Sequence, residues 1–178
     1  MRDTARGYGW ISILLHWATA IVVVAMLMTG DFVQGGKVDA VHRHTTIGIA
    51  MYVLLWGRIV WRFRVGHPGP TAKQGRLSFA VGQYFHYAFL VAIGAMLISG
   101  PLMAWTGGDS IHVFWMEIPG PIAEDVAIHR FLRAVHGYTA AGILTALVLH
   151  TLAAIKHALI NKDGTFDKIV VPDRGGQA

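Results

Sequence analysis

The sequence predicts an all-α integral membrane protein, a four-helix bundle with both termini cytoplasmic. Three observations lead to this prediction. Of the 178 residues 54% are hydrophobic, only 14% are charged, and the charges fall between long stretches that carry none. Soluble domains have about 25% charged residues. Each uncharged stretch is long enough to cross about 30 Å of hydrocarbon as a helix.

Three spans are free of charge, because no Asp, Glu, Lys or Arg occurs within residues 7–30, 77–108 or 134–155. The other span contains Arg58 and Arg62 near one end, where we expect these long side chains to reach the headgroups. The whole chain, residues 1–178, is thus predicted to form one membrane domain. Its expected parts are helices at about 10–30, 43–64, 79–105 and 132–160, an outer loop at about 106–131 and a polar cytoplasmic tail at 161–178.

The basic residues indicate the orientation of the bundle. Eleven of the 15 Lys and Arg residues lie in the N-terminal segment, around the second loop and in the C-terminal segment. Four lie in the first and third loops: Lys37, Arg43, Arg130 and Arg133. Basic residues accumulate on the cytoplasmic side of membrane proteins. We therefore read the net charge of +5 as a membrane-orientation signal and predict no nucleic-acid partner.

Among Cys, Asp, Glu and His, the residue types that most often bind a metal, histidine is the one that recurs in the predicted spans. There is no Cys, which excludes disulfides, thiolate-held clusters and the covalent attachment of haem. The predicted spans contain no Asp or Glu, although transporters and di-iron bundles usually require buried carboxylates. Histidine, by contrast, recurs in or beside the spans, at His16, His44, His86, His136, His150 and His157. Imidazole alone suits a haem or a soft transition metal.

Four of these histidines fall at two depths. His16 and His150 each lie about 9 Å inside the cytoplasmic edge, whereas His44 and His136 open helices on the outer side. His136 and His150 are separated by 14 residues, so they share one helix face about 21 Å apart. This arrangement suits two stacked planar cofactors. The alternatives are that these histidines are polar packing residues, that His86 or His157 replaces a member of the inner pair, or that a Met is an axial ligand.

Several short motifs accompany these histidines. They are Leu15-His16-Trp17, His44-x-x-x-Gly48, Arg58-Ile-Val-Trp-Arg62, His86-Tyr87, the series His136, His150 and His157, and Lys162-Asp163-Gly-Thr165. With them the chain resembles, over nearly its whole length, the bacterial cytochrome b561 family of four-helix, di-haem membrane proteins. Related bundles serve as cytochrome b subunits of hydrogenases and formate dehydrogenases.

The resemblance implies a multi-pass protein of the bacterial inner membrane with two b-type haems. His16 and His150 would hold the inner haem, and His44 and His136 the outer one. It also implies an oxidoreductase that takes electrons from superoxide at the periplasmic face and reduces ubiquinone near the cytoplasmic face. The alternative is an electron-relay subunit that docks to a dehydrogenase, a hydrogenase or a periplasmic redox protein such as a cytochrome c. A transporter without redox function is a third hypothesis.

Further residues are candidates for the two substrates of that reaction. At the outer face, Arg43, Arg130 and Arg133 would either attract superoxide or pair with haem propionates. At the inner face, the candidates for quinone binding are His86, His157, Lys73 and Arg76, because quinone reduction consumes protons that a histidine can supply. The oligomeric state, the quinone type and the physiological donor do not follow from the sequence.

Overall fold

The computed structural model describes residues 3–33 and 37–173, with the side chains of 31–33 excluded. Five α-helices account for most of this part of the chain. They are α1 (Trp10–Val33), α2 (Val38–Ala50), α3 (Tyr52–Val65), α4 (Arg76–Thr106) and α5 (Val126–Ile155). A β-hairpin of β1 (Ile111–Val113) and β2 (Met116–Ile118) lies between α4 and α5, and a π-helical segment (Lys156–Asn161) and a 3-10 turn (Asp167–Ile169) follow α5.

Three single helices in the described part of the chain are candidate membrane spans. α1, α4 and the stretch from α5 through the π-helical segment are each long and apolar enough to cross a membrane. α2 and α3 meet at a bend of 44° and reach the length and hydropathy of a fourth span when the pair is taken as one broken span. This differs from the single helix predicted at 43–64, which in the structure starts earlier and is interrupted at Met51.

The outer loop is shorter and more ordered than the predicted 106–131. α5 begins before the predicted residue 132, because the Asp125 carboxylate caps it by accepting hydrogen bonds from the amides of Ala127 and Ile128, both at 2.9 Å. The antiparallel β-hairpin, which pairs Ile111 with Ile118, is the one departure from an all-helical fold in the described chain. Hydrogen bonds from Thr45 to the carbonyl of His112 attach this hairpin to α2.

The helices pack around a small apolar core and leave many large apolar side chains on the outside. The core consists of Val22, Leu55, Ile59, Leu90, Ile93 and Leu97. Side chains such as Val53 at 82% and Tyr138 at 81% exposure face outward. Exposed apolar surface of this extent is expected where lipid is the solvent. The structure and the composition together therefore describe a membrane-embedded helical bundle.

Both termini of the described chain lie at one end of the bundle, which we call the terminal end; the opposite end is the hairpin end. The indole of Trp17 donates to the carbonyl of Ile169 at 3.0 Å, and the Asp173 amide to that of Tyr8 at 2.8 Å. The segment predicted as a free polar tail is therefore attached to the bundle as far as Asp173. Arg2 and Arg174, which contribute to the predicted orientation, lie outside the described residues.

Arg58 and Arg62 do not reach outward as expected from the sequence. Together with Leu55 and Ile59 they form the buried face of α3. Arg58 is 9% exposed and Arg62 only 1%. The spacing i, i+3, i+4, i+7 places all four on one helix face, so the two guanidinium groups point into the bundle.

Candidate functional site

At the hairpin end, His44 of α2 faces His136 of α5 across the bundle. The centres of their imidazole rings are 6.3 Å apart, with an angle of 74° between the planes. Both side chains are partly buried. The two rings are thus close enough to share a ligand but too far apart to pack directly on each other.

Hydroxyl groups orient both rings of this pair. The Thr29 hydroxyl, which donates its proton to the carbonyl of Ala25, lies 3.0 Å from His44 Nδ1. This contact holds the His44 ring in one orientation between α1 and α2. The Ser99 hydroxyl lies 2.9 Å from His136 Nδ1. Partners of this kind set the orientation of metal-binding histidines.

At the terminal end, His16 of α1 faces His150 of α5 in a similar way. Their ring centres are 6.4 Å apart, with 53° between the planes. His150 also contacts Phe89 and His86 edge to face, at 5.7 Å and 5.3 Å between ring centres. Packing against other rings, rather than hydrogen bonds, orients this second pair.

The spacing within both pairs fits a metal centre held between two axial imidazoles. A metal–nitrogen bond is about 2 Å long and a ring centre lies about 1 Å behind its nitrogen, so two rings on opposite sides of one metal ion are about 6 Å apart. Among the described residues no three His, Asp or Glu side chains are grouped to hold a metal ion. The other ligands would therefore come from a macrocycle. Gly100 makes room for the His136 ring, because a Cβ at this position would lie 3.3 Å from the ring.

Two further histidines extend the terminal-end pair toward the surface. His86 of α4, beside His150, stacks on His67 with parallel rings whose centres are 5.4 Å apart. His67 lies in the loop after α3, and its Nδ1 is buried without a partner among the described residues. Burial, reinforced by the charges of Arg62 and Arg58, lowers the pKa of His67 from 6.5 to about 4. His67 is thus a neutral imidazole at ordinary pH.

His157 lies elsewhere at the terminal end, in a chain of hydrogen bonds. Its Nδ1 lies 2.6 Å from the Asp163 carboxylate, and its Nε2 lies 3.1 Å from the Ser78 hydroxyl of α4. Burial alone would raise the pKa of Asp163, but hydrogen bonds from Thr165 and His157 outweigh it and hold the pKa below its usual value. The carboxylate therefore stays charged and fixes the His157 ring.

The four quinone candidates thus separate into different environments. His86 contacts His67 and His150, whereas His157 contacts Ser78 and Asp163. Lys73 and Arg76 are exposed just before and at the start of α4, the helix that carries Ser78.

At the hairpin end, the three candidate arginines lie on the surface. Arg43, Arg130 and Arg133 are all exposed, and none makes an ion pair or side-chain hydrogen bond within the described part of the chain. A histidine pair lies at the same end, with the rings of His42 and His112 centred 4.4 Å apart.

Sequence reasoning missed the residues that orient the histidines. Ser99 and Thr29 are single hydroxyl residues in apolar helices, and no local pattern marks them as partners of a histidine. His67 lies beyond the end of the predicted span at 43–64, so its depth in the membrane could not be used to identify it as a candidate. Asp163 belongs to the Lys162-Asp163-Gly-Thr165 motif, six residues after His157. A carboxylate so close to this histidine in the sequence could have been predicted as its partner.

A membrane helical bundle with two facing pairs of imidazoles has the architecture of a membrane-bound cytochrome b. Comparison with known proteins agrees with this class. The family model described as prokaryotic cytochrome b561 matches residues 7–171. The chain is 30% identical to cytochrome b561 homolog 2 of Escherichia coli K12, over 94% of this chain and 93% of that protein.

Two other bacterial proteins are similar over nearly their whole lengths. The probable superoxide oxidase CybB of Yersinia pestis is 23% identical, over 96% of this chain and 99% of that protein. Cytochrome b562 of Cereibacter sphaeroides is 25% identical, over 93% of this chain and 96% of that protein. The chain belongs to the prokaryotic cytochrome b561 family. It is therefore a membrane-embedded electron-transfer protein of the b-type, haem-binding class, as the resemblance implied.

Proposed function

We propose that this chain is a di-haem cytochrome b of the bacterial inner membrane that oxidises superoxide at the hairpin end and reduces ubiquinone at the terminal end. The hairpin end is then periplasmic and both termini are cytoplasmic. The observation that carries the proposal is the presence of two imidazole pairs, with ring centres 6.3 Å and 6.4 Å apart, at the two ends of the bundle. Bound haem supplies one-electron chemistry, which permits electron transfer between the two faces.

The four axial residues are His44 and His136 in the hairpin-end pair and His16 and His150 in the terminal-end pair. With both histidines of a pair bound, a haem iron would have no open site, which would favour electron transfer over oxygen binding. α5 supplies one residue to each pair. This single rigid helix sets the separation of the two centres.

The hairpin end suits a small anionic substrate. Arg43, Arg130 and Arg133 present exposed positive charge beside the helices that carry His44 and His136. Superoxide approaching this surface gains from the positive potential. An exposed guanidinium serves this purpose better than binding a buried propionate, so we assign the three arginines to attracting the substrate.

The terminal end suits the reduction of a quinone. The balanced reaction is two superoxide ions, one quinone and two protons giving two molecules of dioxygen and one quinol. We assign proton supply to His157, whose Nε2 lies 3.1 Å from the Ser78 hydroxyl and whose Nδ1 lies 2.6 Å from Asp163, a carboxylate that can stabilise a positive charge on the ring. Lys73 and Arg76 lie on the surface nearby, and His86 forms a second polar group deeper in the bundle.

The purified chain in detergent tests this proposal. We expect ubiquinone reduction that depends on superoxide, with one quinol formed per two superoxide ions consumed. The variant in which Arg43, Arg130 and Arg133 are all replaced by Gln is expected to react more slowly at low salt and to lose most of its salt dependence. If the purified protein with both haems reduces no quinone above the rate of a haem-free control, the proposal is wrong.

An electron-relay subunit is the second candidate, and the hairpin favours it. Phe114 and Trp115 at its tip are 69% and 89% exposed. Exposed aromatic residues of this kind are typical of protein-protein contacts. A relay subunit would co-purify with a redox partner, would be inert without it, and would lose the partner in a Trp115→Ser variant.

A further inference from the structure

A buried arginine near the terminal-end histidines has no ion-pair partner within the described residues. Arg58 is 9% exposed, and its Nη1 has no hydrogen-bond partner among the described residues. It lies about 10 Å from the end of α3 along the helix axis. Its charge acts on His16, His86 and His67, which places the guanidinium among the histidines of this end.

The nearby carboxylate is already in use. Asp3 accepts hydrogen bonds from the Gly9 amide at 2.8 Å and the Ser12 hydroxyl at 2.7 Å. Its Oδ2 also lies 3.6 Å from Arg62 Nη1 in a buried ion pair. Arg62 donates in addition to the carbonyl of Gly66 and lies over the Tyr8 ring. Asp3 therefore pairs directly with Arg62. Arg58 interacts with Asp3 electrostatically but forms no ion pair with it among the described residues, so it remains a buried positive charge without a contacting anion.

An unpaired charge in a low-dielectric interior is costly unless an anion accompanies it. We propose that Arg58 binds a propionate carboxylate of the inner haem, the haem that His16 and His150 hold. The inference rests on the proposed function, because it requires a haem at that pair. Arg58 is suited to the role because its fork of N–H donors matches a carboxylate, and because its place on the buried face of α3 excludes lipid.

The test uses haem dissociation rather than electron transfer. Full-length protein in detergent is depleted of haem and reloaded with either haem b or its dimethyl ester, which has no propionate charge. Dissociation to excess apomyoglobin is then followed by absorbance. The inner phase is the one that is absent from a His150→Ala variant.

In the wild-type protein we expect the ester to leave the inner site about ten- to a hundredfold faster than haem b. Arg58→Gln should speed the loss of haem b by a similar factor, and the ester should then make little further difference. Arg58→Lys, which keeps the charge but not the fork, should be intermediate. Arg64→Gln, an exposed arginine on the same helix, is the matched control and should behave as wild type.

Retention of the outer haem shows that each variant is folded, and the wild-type ester experiment needs no variant at all. Equal dissociation of haem b and ester from the wild-type inner site overturns the inference, as does an ester effect that persists undiminished in Arg58→Gln. Loss of bound phospholipid phosphorus from Arg58→Gln with unchanged haem would overturn it in favour of a lipid phosphate. A protein without haem at the inner pair overturns the proposed function itself.

Discussion

The two ends of the bundle present the same pair of imidazoles in different surroundings. At the hairpin end, His44 and His136 are oriented by the hydroxyls of Thr29 and Ser99. At the terminal end, His150 packs against the ring of His86, and a buried arginine lies nearby. The ring spacings, 6.3 Å and 6.4 Å, are nearly equal.

This comparison shows that the geometry of a ligand pair can be held in two ways. Hydroxyl groups within hydrogen-bond distance of Nδ1 orient the hairpin-end rings. Aromatic packing and charge act on the terminal-end pair, so its properties depend on burial and on the neighbouring cations. Changes to single hydroxyls should therefore affect one end, and changes to charge the other.

The largest expected effect comes from removing one ligand at a time. His136→Ala should remove the outer haem and leave the inner one, and His150→Ala should do the reverse. Each alanine leaves the iron with one protein ligand, which does not suffice to retain it. Haem content per chain and reduced-minus-oxidised spectra measure the result. The pairing is refuted if both variants keep two haems.

A change of pH should affect the terminal end through His67. Because the pKa of His67 falls from 6.5 to about 4 in the folded protein, the unfolded chain takes up this proton first as pH decreases. The free energy of unfolding should therefore fall between pH 6.5 and 4, by at most about 3 kcal/mol. His67→Phe should flatten the dependence of Tm on pH in this window. His112→Phe at the hairpin end is the control, and equal slopes in both variants would contradict the assignment.

Removal of the Ser99 hydroxyl should weaken haem binding at the hairpin end. In Ser99→Ala, His136 loses the partner of its Nδ1, so the outer haem should bind about tenfold more weakly and its midpoint potential should rise because the imidazole is less basic. Thr145→Ala removes a hydroxyl that bonds only within α5, to Ala141, and should change neither. Redox titration of the two haems measures the midpoint potentials in both variants. Equal outer-haem potentials in Ser99→Ala and Thr145→Ala would contradict the prediction.

The smallest effect is expected from added volume beside His136. A methyl group at Gly100 would lie 3.3 Å from the His136 ring, whereas one at Gly142 of α5 meets nothing within 4 Å. Gly100→Ala should therefore displace the ring slightly and weaken the outer haem less than Ser99→Ala does. Gly142→Ala should leave both haems unchanged. The outer-haem dissociation rates give the comparison, and a stronger effect at Gly142 would contradict this packing.

Apolar length is a strong constraint in a membrane, so the sequence indicates the three long apolar helices found in the described part of the chain. The bend at Met51 was not predictable, since the apolar pattern continues through it. The start of α5 could have been found from Asp125, a standard N-cap residue. The inward direction of the Arg58 side chain could not be found from the sequence. A basic residue near the end of a span is equally compatible with a side chain that reaches the headgroups and with one that faces a buried anion.

The central claim is that the two imidazole pairs each hold one haem through two axial histidines. The most direct measurement is electron paramagnetic resonance of the oxidised, purified protein, together with a pyridine haemochrome assay of haem per chain. The account predicts two b-type haems per chain, both in low-spin, six-coordinate form. A single haem per chain, or a high-spin signal from a five-coordinate iron, would contradict it.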